Sequence, residues 1–298
     1  MSFLAGASFL VGCSPLITAR RDYLEPILKK VEEPEPENLV DIAIIFDDVG
    51  ASIYDKDNLE KLRQIDFPGT YAVLPDALNL EENIKILAHY PNAEVFLHQP
   101  MEPYRMDERG IQNWIENAPY TEGLYLNTPL DKMDDIVDKN LYKIFHLLQK
   151  YNAGHKLIGL NNHMGSAFTA SPKRMAKIAE SLRYKQPNLI FVDSNTYVSG
   201  YDGMKAIDVM NDFNVNSAIN NLFLDNIESY EYTIEQLQKL GDIALRDNTP
   251  KIAIGHIGKD TTVNALIDYL GDYDKVGKHY VRNYGDNALR FSHITDFI

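Results

Sequence analysis

Apolar residues in this chain come in two rhythms. Short, nearly unbroken runs rich in β-branched residues stand at 41–46 (DIAIIF), 70–74 (TYAVL), 93–97 (AEVFL), 157–160 (LIGL), 189–192 (LIFV) and 251–255 (KIAIG). Runs of this kind predict strands covered on both faces, as in parallel sheets. Between them, helical patterns run over 58–65, 80–89, 133–150, 172–182, 232–246 and 262–270. In the longest, Ile136, Leu141, Ile144, Leu147 and Leu148 lie near helical spacing. Ser171 stands where the helix over 172–182 takes its cap. Strands alternating with helices predict an α/β fold of right-handed βαβ units on a parallel sheet. Neither a repeat nor a shift of composition interrupts 39–298, so this stretch reads as one domain.

The N-terminus has a different texture. Residues 1–12 (MSFLAGASFLVG) are apolar, small and uncharged. They are too few for a spanning helix, which takes about 20 apolar residues. The segment is similar to the apolar part of a secretory signal. Residues 10–13 (LVGC) resemble a bacterial lipobox, in which cleavage precedes a lipid-bearing cysteine. In that reading 1–13 is a leader, Cys13 is the lipidation site, and the domain is exported, periplasmic and anchored to the bacterial envelope. No Lys or Arg precedes Arg20, which leaves the true start codon open. Residues 14–38 read as a flexible tether, because Pro34 and Pro36 among glutamates resist helix and strand. The alternatives are an apolar helix with a buried cysteine and a leader of no consequence.

Composition narrows the classes. The net charge is −14 with no basic stripe, so the chain is not expected to bind nucleic acid. One cysteine excludes an internal disulfide framework and a cysteine-rich zinc site. At 298 residues, a two-domain chain and a single α/β barrel both fit.

Chemistry in parallel α/β folds collects at the C-terminal ends of strands. Here Asp47-Asp48, His98, Asn161-Asn162-His163, Asp193-Ser194 and His256 follow these predicted strands, and Asp225-Asn226 follows a further short apolar run at 222–224 (LFL). Two adjacent carboxylates in a low-dielectric site call for a cation. One Asp with two His suits Zn²⁺ or another divalent transition metal, with a position left for water. The other Asp can then take a proton from water, and a further imidazole can protonate a leaving group.

These residues resemble a known family. The run 46–48 (FDD) looks like the first motif of polysaccharide deacetylases of the NodB-homology type. The runs 97–103 (LHQPMEP), 161–169 (NNHMGSAFT), 191–196 (FVDSNT), 223–226 (FLDN) and 254–258 (IGHIG) are similar to its divergent branch, in that order. The resemblance covers about 39–298. It implies a distorted (β/α) barrel, usually of seven strands, and a metal-dependent hydrolase of acetyl groups on an envelope polysaccharide or peptidoglycan-type glycan. It implies Asp47 as general base, Asp48 and His98 as metal ligands, and His256 as general acid.

One departure bears on the ligand set. Typical deacetylases place two metal histidines four apart, whereas the residue four after His98 is Glu102. Either Glu102 is the third ligand or another element supplies it, and His163, at a neighbouring strand end, is the favoured candidate. An arginine-containing third motif is absent, with NNHMGS in its place. Asn162 is a further candidate at or beside the metal. Asp193 is either the partner that fixes an imidazole or a turn residue. Trp114 is either a wall of a glycan groove or a core anchor. A non-catalytic glycan-binding or scaffold lipoprotein on the same fold is the competing reading, and retention of both base and acid speaks against it. A phosphoester hydrolase is a third, disfavoured by acidity and by the lack of a Gly-rich phosphate cradle.

Overall fold

The computed structural model describes residues 38–104, 122–197 and 202–298. Residues 1–37, on which the expected leader, Cys13 and nearly all of the expected tether fall, and Trp114 lie outside the described residues. Strands and helices alternate: β1 (Asn38–Val49), α1 (Asp55–Gln64), β2 (Gly69–Val73), α2 (Leu80–Ala88), β3 (Ala93–Met101), α3 (Leu130–Gln149), β4 (Leu157–Met164), α4 (Pro172–Lys185), β5 (Ile190–Asp193) and α5 (Ala206–Asp212). The chain continues through β6 (Ser217–Ile219), β7 (Leu222–Phe223), α6 (Tyr230–Asp247), β8 (Lys251–His256) and α7 (Asp260–Tyr269). It ends in β9 (Asp274–Val276), β10 (His279–Tyr284) and β11 (Asn287–Phe291).

Parallel pairing runs β6-β5-β4-β3-β2-β1, and β8 joins β1 with β7 on its far side. The period-2 pleat explains the curl. Ala43 and Ile45 of β1, Ala72, Phe96, Ile190, Val192, Ile252 and Ile254 meet in one inner cluster. Ile158 of β4, Ala218 of β6 and Phe223 of β7 pack against it, so all eight parallel strands face one centre. The opposite side of β1, with Ile42, Ile44 and Phe46, packs in a second cluster with helical residues such as Leu59, Ile84, Val137 and Leu266. The result is a distorted (β/α) barrel, open between β6 and β7, where hydrogen bonding between the described strands stops.

Gly159 shows how tightly the inner face closes. A Cβ there would stand 2.3 Å from the Ile190 carbonyl oxygen and 2.6 Å from the Phe96 ring. Only glycine lets β4 pass this close to β5 while Phe96 fills the centre.

Two features depart from the sequence pattern. The 172–182 helix does form, but the Ser171 side chain makes no cap bond. Its carbonyl accepts from Arg174 and Met175, and Pro172 opens the helix at a position where a missing N–H costs nothing. The antiparallel β9–β11 unit was not expected; β11 pairs parallel to the start of β1. Beyond it, Ile294 and Phe297 join the inner cluster, and the Ile294 N–H donates to Glu94 at the beginning of β3. The C-terminal turn therefore plugs the N-terminal mouth of the barrel and leaves the other mouth for polar groups. No helix among the described residues is long and apolar enough to cross a membrane.

Candidate active site

The polar groups at the open mouth continue the inner-face alternation of their strands. Ala43 and Ile45 lead to Asp47, Phe96 leads to His98, Gly159 leads to Asn161 and His163, and Ile252 and Ile254 lead to His256. The β3–β4 register sets His98 opposite Asn161, and the β1–β8 register sets Asp47 opposite His256. Asp48 would follow the pleat outward. Instead the register of β1 against β2 shifts between Phe46 and Val49, and Asp48 adopts φ +62°. A bulge re-aims a side chain in this way, and aspartate is among the few non-glycine residues that accept the left-handed region.

The re-aimed carboxylate meets both imidazoles. Asp48 Oδ1 lies 3.1 Å from His98 Nε2 and 2.8 Å from His163 Nδ1, and these two nitrogens are 3.1 Å apart. Asp47 Oδ2 is 3.6 Å from the same His98 Nε2. One donor atom from each of Asp48, His98 and His163 falls within 4.8 Å of the others. The other ring nitrogen of His98 faces the amide oxygen of Asn161 at 2.7 Å, so it carries the proton. In the neutral ring Nε2 is then a lone pair aimed at two carboxylates and a second imidazole, a donor set that suits a divalent cation.

His256 faces this group from β8. Its Nδ1 donates to Asp225 Oδ1 at 2.8 Å, and its Nε2 lies 3.9 Å from Asp48 Oδ2. Asp225 Oδ2 accepts from the His256 backbone N–H and from Thr262 Oγ1, each at 2.8 Å. Lys259 Nζ donates to the Asp225 carbonyl at 2.9 Å. Asp48 and His256 each keep 29% of their side-chain surface exposed, so a ligand can reach both.

A family model for divergent polysaccharide deacetylases matches residues 44–281, which include every one of these groups. The chain belongs to the divergent polysaccharide deacetylase family. It is 27% identical over 218 residues to an uncharacterized protein of Haemophilus influenzae, covering 72% of this chain and 66% of that one. It is 28% identical over 217 residues to the uncharacterized protein YibQ of Escherichia coli, covering 72% of this chain and 58% of that one. Among solved structures, an uncharacterized protein of Agrobacterium tumefaciens shares the fold, with a TM-score of 0.59 at 16% identity, over 78% of this chain and 83% of that one.

Within this deacetylase-family site the two neighbouring carboxylates are driven apart. Burial raises the Asp47 carboxyl above its ordinary range, helped by the Asp48 charge and opposed by His98 and His256. Burial would also raise Asp48, but hydrogen bonding and charge from His163 and from His98 in its doubly protonated form outweigh it and hold that carboxyl well below its ordinary value. Such a split assigns different jobs to like groups. Burial alone would lower His256; the Asp225 hydrogen bond and charge reverse this and raise it.

Other sequence candidates go elsewhere. Glu102 does not join the Asp-His-His group; its carboxylate accepts from the Leu126 N–H at 2.6 Å. The reason is geometric. His98 sits in an extended strand, where four residues advance roughly 13 Å, rather than in a helical turn. Asn162 points to the outer side, where its Oδ1 accepts from the Ser194 N–H at 2.9 Å and its Nδ2 donates to the Met164 carbonyl. Asp193 accepts from the Asn195 N–H and the Tyr197 hydroxyl, each at 2.9 Å, and from the Ile207 N–H at 3.3 Å. It ties Asn195 and Tyr197 to the start of α5, and Asp225 is the carboxylate on His256. Asp225 and Asn161 were both visible as strand-end polar residues, and position on the inner face is the signal that selects them.

Asp55 braces the turn that follows Asp48. It is buried, and its Oδ2 accepts from the Gly50 N–H at 2.6 Å and the Ser52 N–H at 3.1 Å. Burial pushes its carboxyl up to about 6, against the pull of those two donors. The native state then binds a proton that the unfolded chain releases near pH 4, so this residue makes stability fall as pH rises from about 4 to 6. The effect amounts to up to about 3 kcal/mol. Denaturant unfolding of Asp55→Asn should show its stability relative to the native protein rising across that window. A difference that stays flat from pH 4 to 7 would mean that Asp55 is an ordinary carboxylate.

Proposed function

We propose that this chain is a metal-dependent hydrolase that removes acetyl groups from an envelope polysaccharide or peptidoglycan-type glycan. The observation that carries the reading is one mouth holding an Asp-His-His donor set between a buried carboxylate and an imidazole backed by Asp225. Asp48, His98 and His163 would hold the cation, and Zn²⁺ suits two imidazoles and a carboxylate. Bound there, a divalent cation supplies Lewis acidity toward the acyl carbonyl and acidifies water.

Asp47 accepts a proton from the attacking water; its raised proton affinity suits a base. His256, protonated on Nε2 while Nδ1–H stays on Asp225, gives its proton to the departing sugar nitrogen or oxygen. The balance is acetyl ester or amide plus water to acetate plus alcohol or amine. Acid–base assistance of this kind contributes about 10²–10⁴-fold. Export and anchoring through Cys13 belong to the same proposal, since an envelope glycan is reached only from outside the cytoplasm.

The deciding experiment measures metal content of purified protein together with acetate release from acetylated envelope glycans. Stoichiometric metal and metal-dependent release support the reading. Bound metal without release from any acetylated glycan would overturn it in favour of a binding module.

A further inference from the structure

Asn161 is fully buried between the donor set and the base, and belongs to neither. Its Nδ2 donates to Asp47 Oδ1 at 2.7 Å, and its Oδ1 accepts from His98 Nδ1 at 2.7 Å. Only one orientation of the amide works. Turned over, its oxygen would face the Asp47 carboxylate, two acceptors with no proton between them. With Nδ2 committed to Asp47, Oδ1 can only accept, and His98 must carry its proton on Nδ1.

We propose that Asn161 is a positioning residue that couples base and cation site through one carboxamide. This rests on the function proposed above. Through Oδ1 it fixes the His98 tautomer, which keeps the Nε2 lone pair on the side of Asp48 and His163. Through Nδ2 it occupies Asp47 Oδ1, which leaves Oδ2, 3.6 Å from His98 Nε2, as the oxygen that takes the proton. A neutral amide does this without cancelling the charge a base requires. The β3–β4 register holds the amide in place, because Asn161 pairs directly with His98.

Two variants separate the two bonds. Asn161→Asp keeps an acceptor for His98 and replaces the donor to Asp47 with a repelling oxygen. Asn161→Ala removes both. Three readouts apply to each: the His98 tautomer by long-range ¹⁵N–¹H NMR of zinc-free protein at about pH 9, above ordinary histidine titration; zinc affinity by chelator competition; and acetate release. In the native protein His98 should be in the Nδ1–H form. Asn161→Asp should keep that form, hold zinc within about threefold of the native protein, and lose turnover by about 10²-fold. Asn161→Ala should mix the tautomers, weaken zinc by about 10–100-fold, and lose turnover at least as far.

A merely structural role would lower the melting temperature without moving the tautomer. Asn161→Ala with a pure Nδ1–H tautomer and native zinc affinity would overturn the proposal, as would native turnover in Asn161→Asp. Should Asn161→Ala fail to fold, Asn161→Asp still divides zinc affinity from turnover. A native protein that binds no zinc and releases no acetate would refute the function, while the tautomer readout would still decide whether Asn161 holds His98.

Discussion

Asp48→Asn should leave purification without its cation and with acetate release reduced by at least about 10³-fold, which corresponds to several kcal/mol of lost Lewis-acid stabilisation. Asparagine is the informative substitute. It accepts the φ +62° backbone as readily as aspartate and keeps the shape, so the loss reads the charge rather than the turn. His163→Ala should behave in the same way, because its Nδ1 lies 2.8 Å from the Asp48 oxygen shared with His98. Glu102→Gln should retain metal, since that carboxylate is engaged by the Leu126 N–H. Elemental analysis of the three proteins, with melting temperatures to confirm folding, checks the assignment. Full metal occupancy in Asp48→Asn and His163→Ala would remove both from the ligand set.

The second large effect separates metal from turnover. His256→Gln should keep its cation and lose acetate release by about 10²–10⁴-fold. Asp225→Asn should also keep metal, with a loss of about 10²-fold. In that variant the alkaline limb of the pH–rate profile should move to lower pH. Asp225 raises the proton affinity of His256 against the lowering effect of burial, and the acid must be protonated to act. Without the carboxylate, His256 loses its proton earlier as pH rises. An unchanged profile in Asp225→Asn would show that His256 does not donate the proton.

The parallel-strand runs were legible because a strand covered on both faces has to be apolar throughout. The long helix over 133–150 was legible through its spacing: Leu141, Ile144 and Leu148 of that pattern are buried, Ile136 and Leu147 are only partly buried against the same core, and Met133 and Val137 complete the buried face. The β9–β11 unit was not, since its strands carry charges such as Asp274, Lys275 and Arg282 on a partly exposed surface. Nor did local sequence separate Asp193 from Asp225. Both follow short apolar strands, and they differ in which side of the sheet they face.

What the sequence determined by itself is the alternation of strand and helix and the placing of carboxylate, imidazole and amide groups at strand ends, because these follow from local periodicity. Its ordered motifs were enough to resemble the family to which the chain belongs. Tertiary structure alone decided which groups meet. Register set His98 against Asn161 and Asp47 against His256 across separations of 63 and 209 positions in the chain. The bulge turned Asp48 back toward two histidines on different strands. Pairing between strands far apart in sequence depends on how the sheet curls around its inner cluster, and no window of neighbouring residues contains that information.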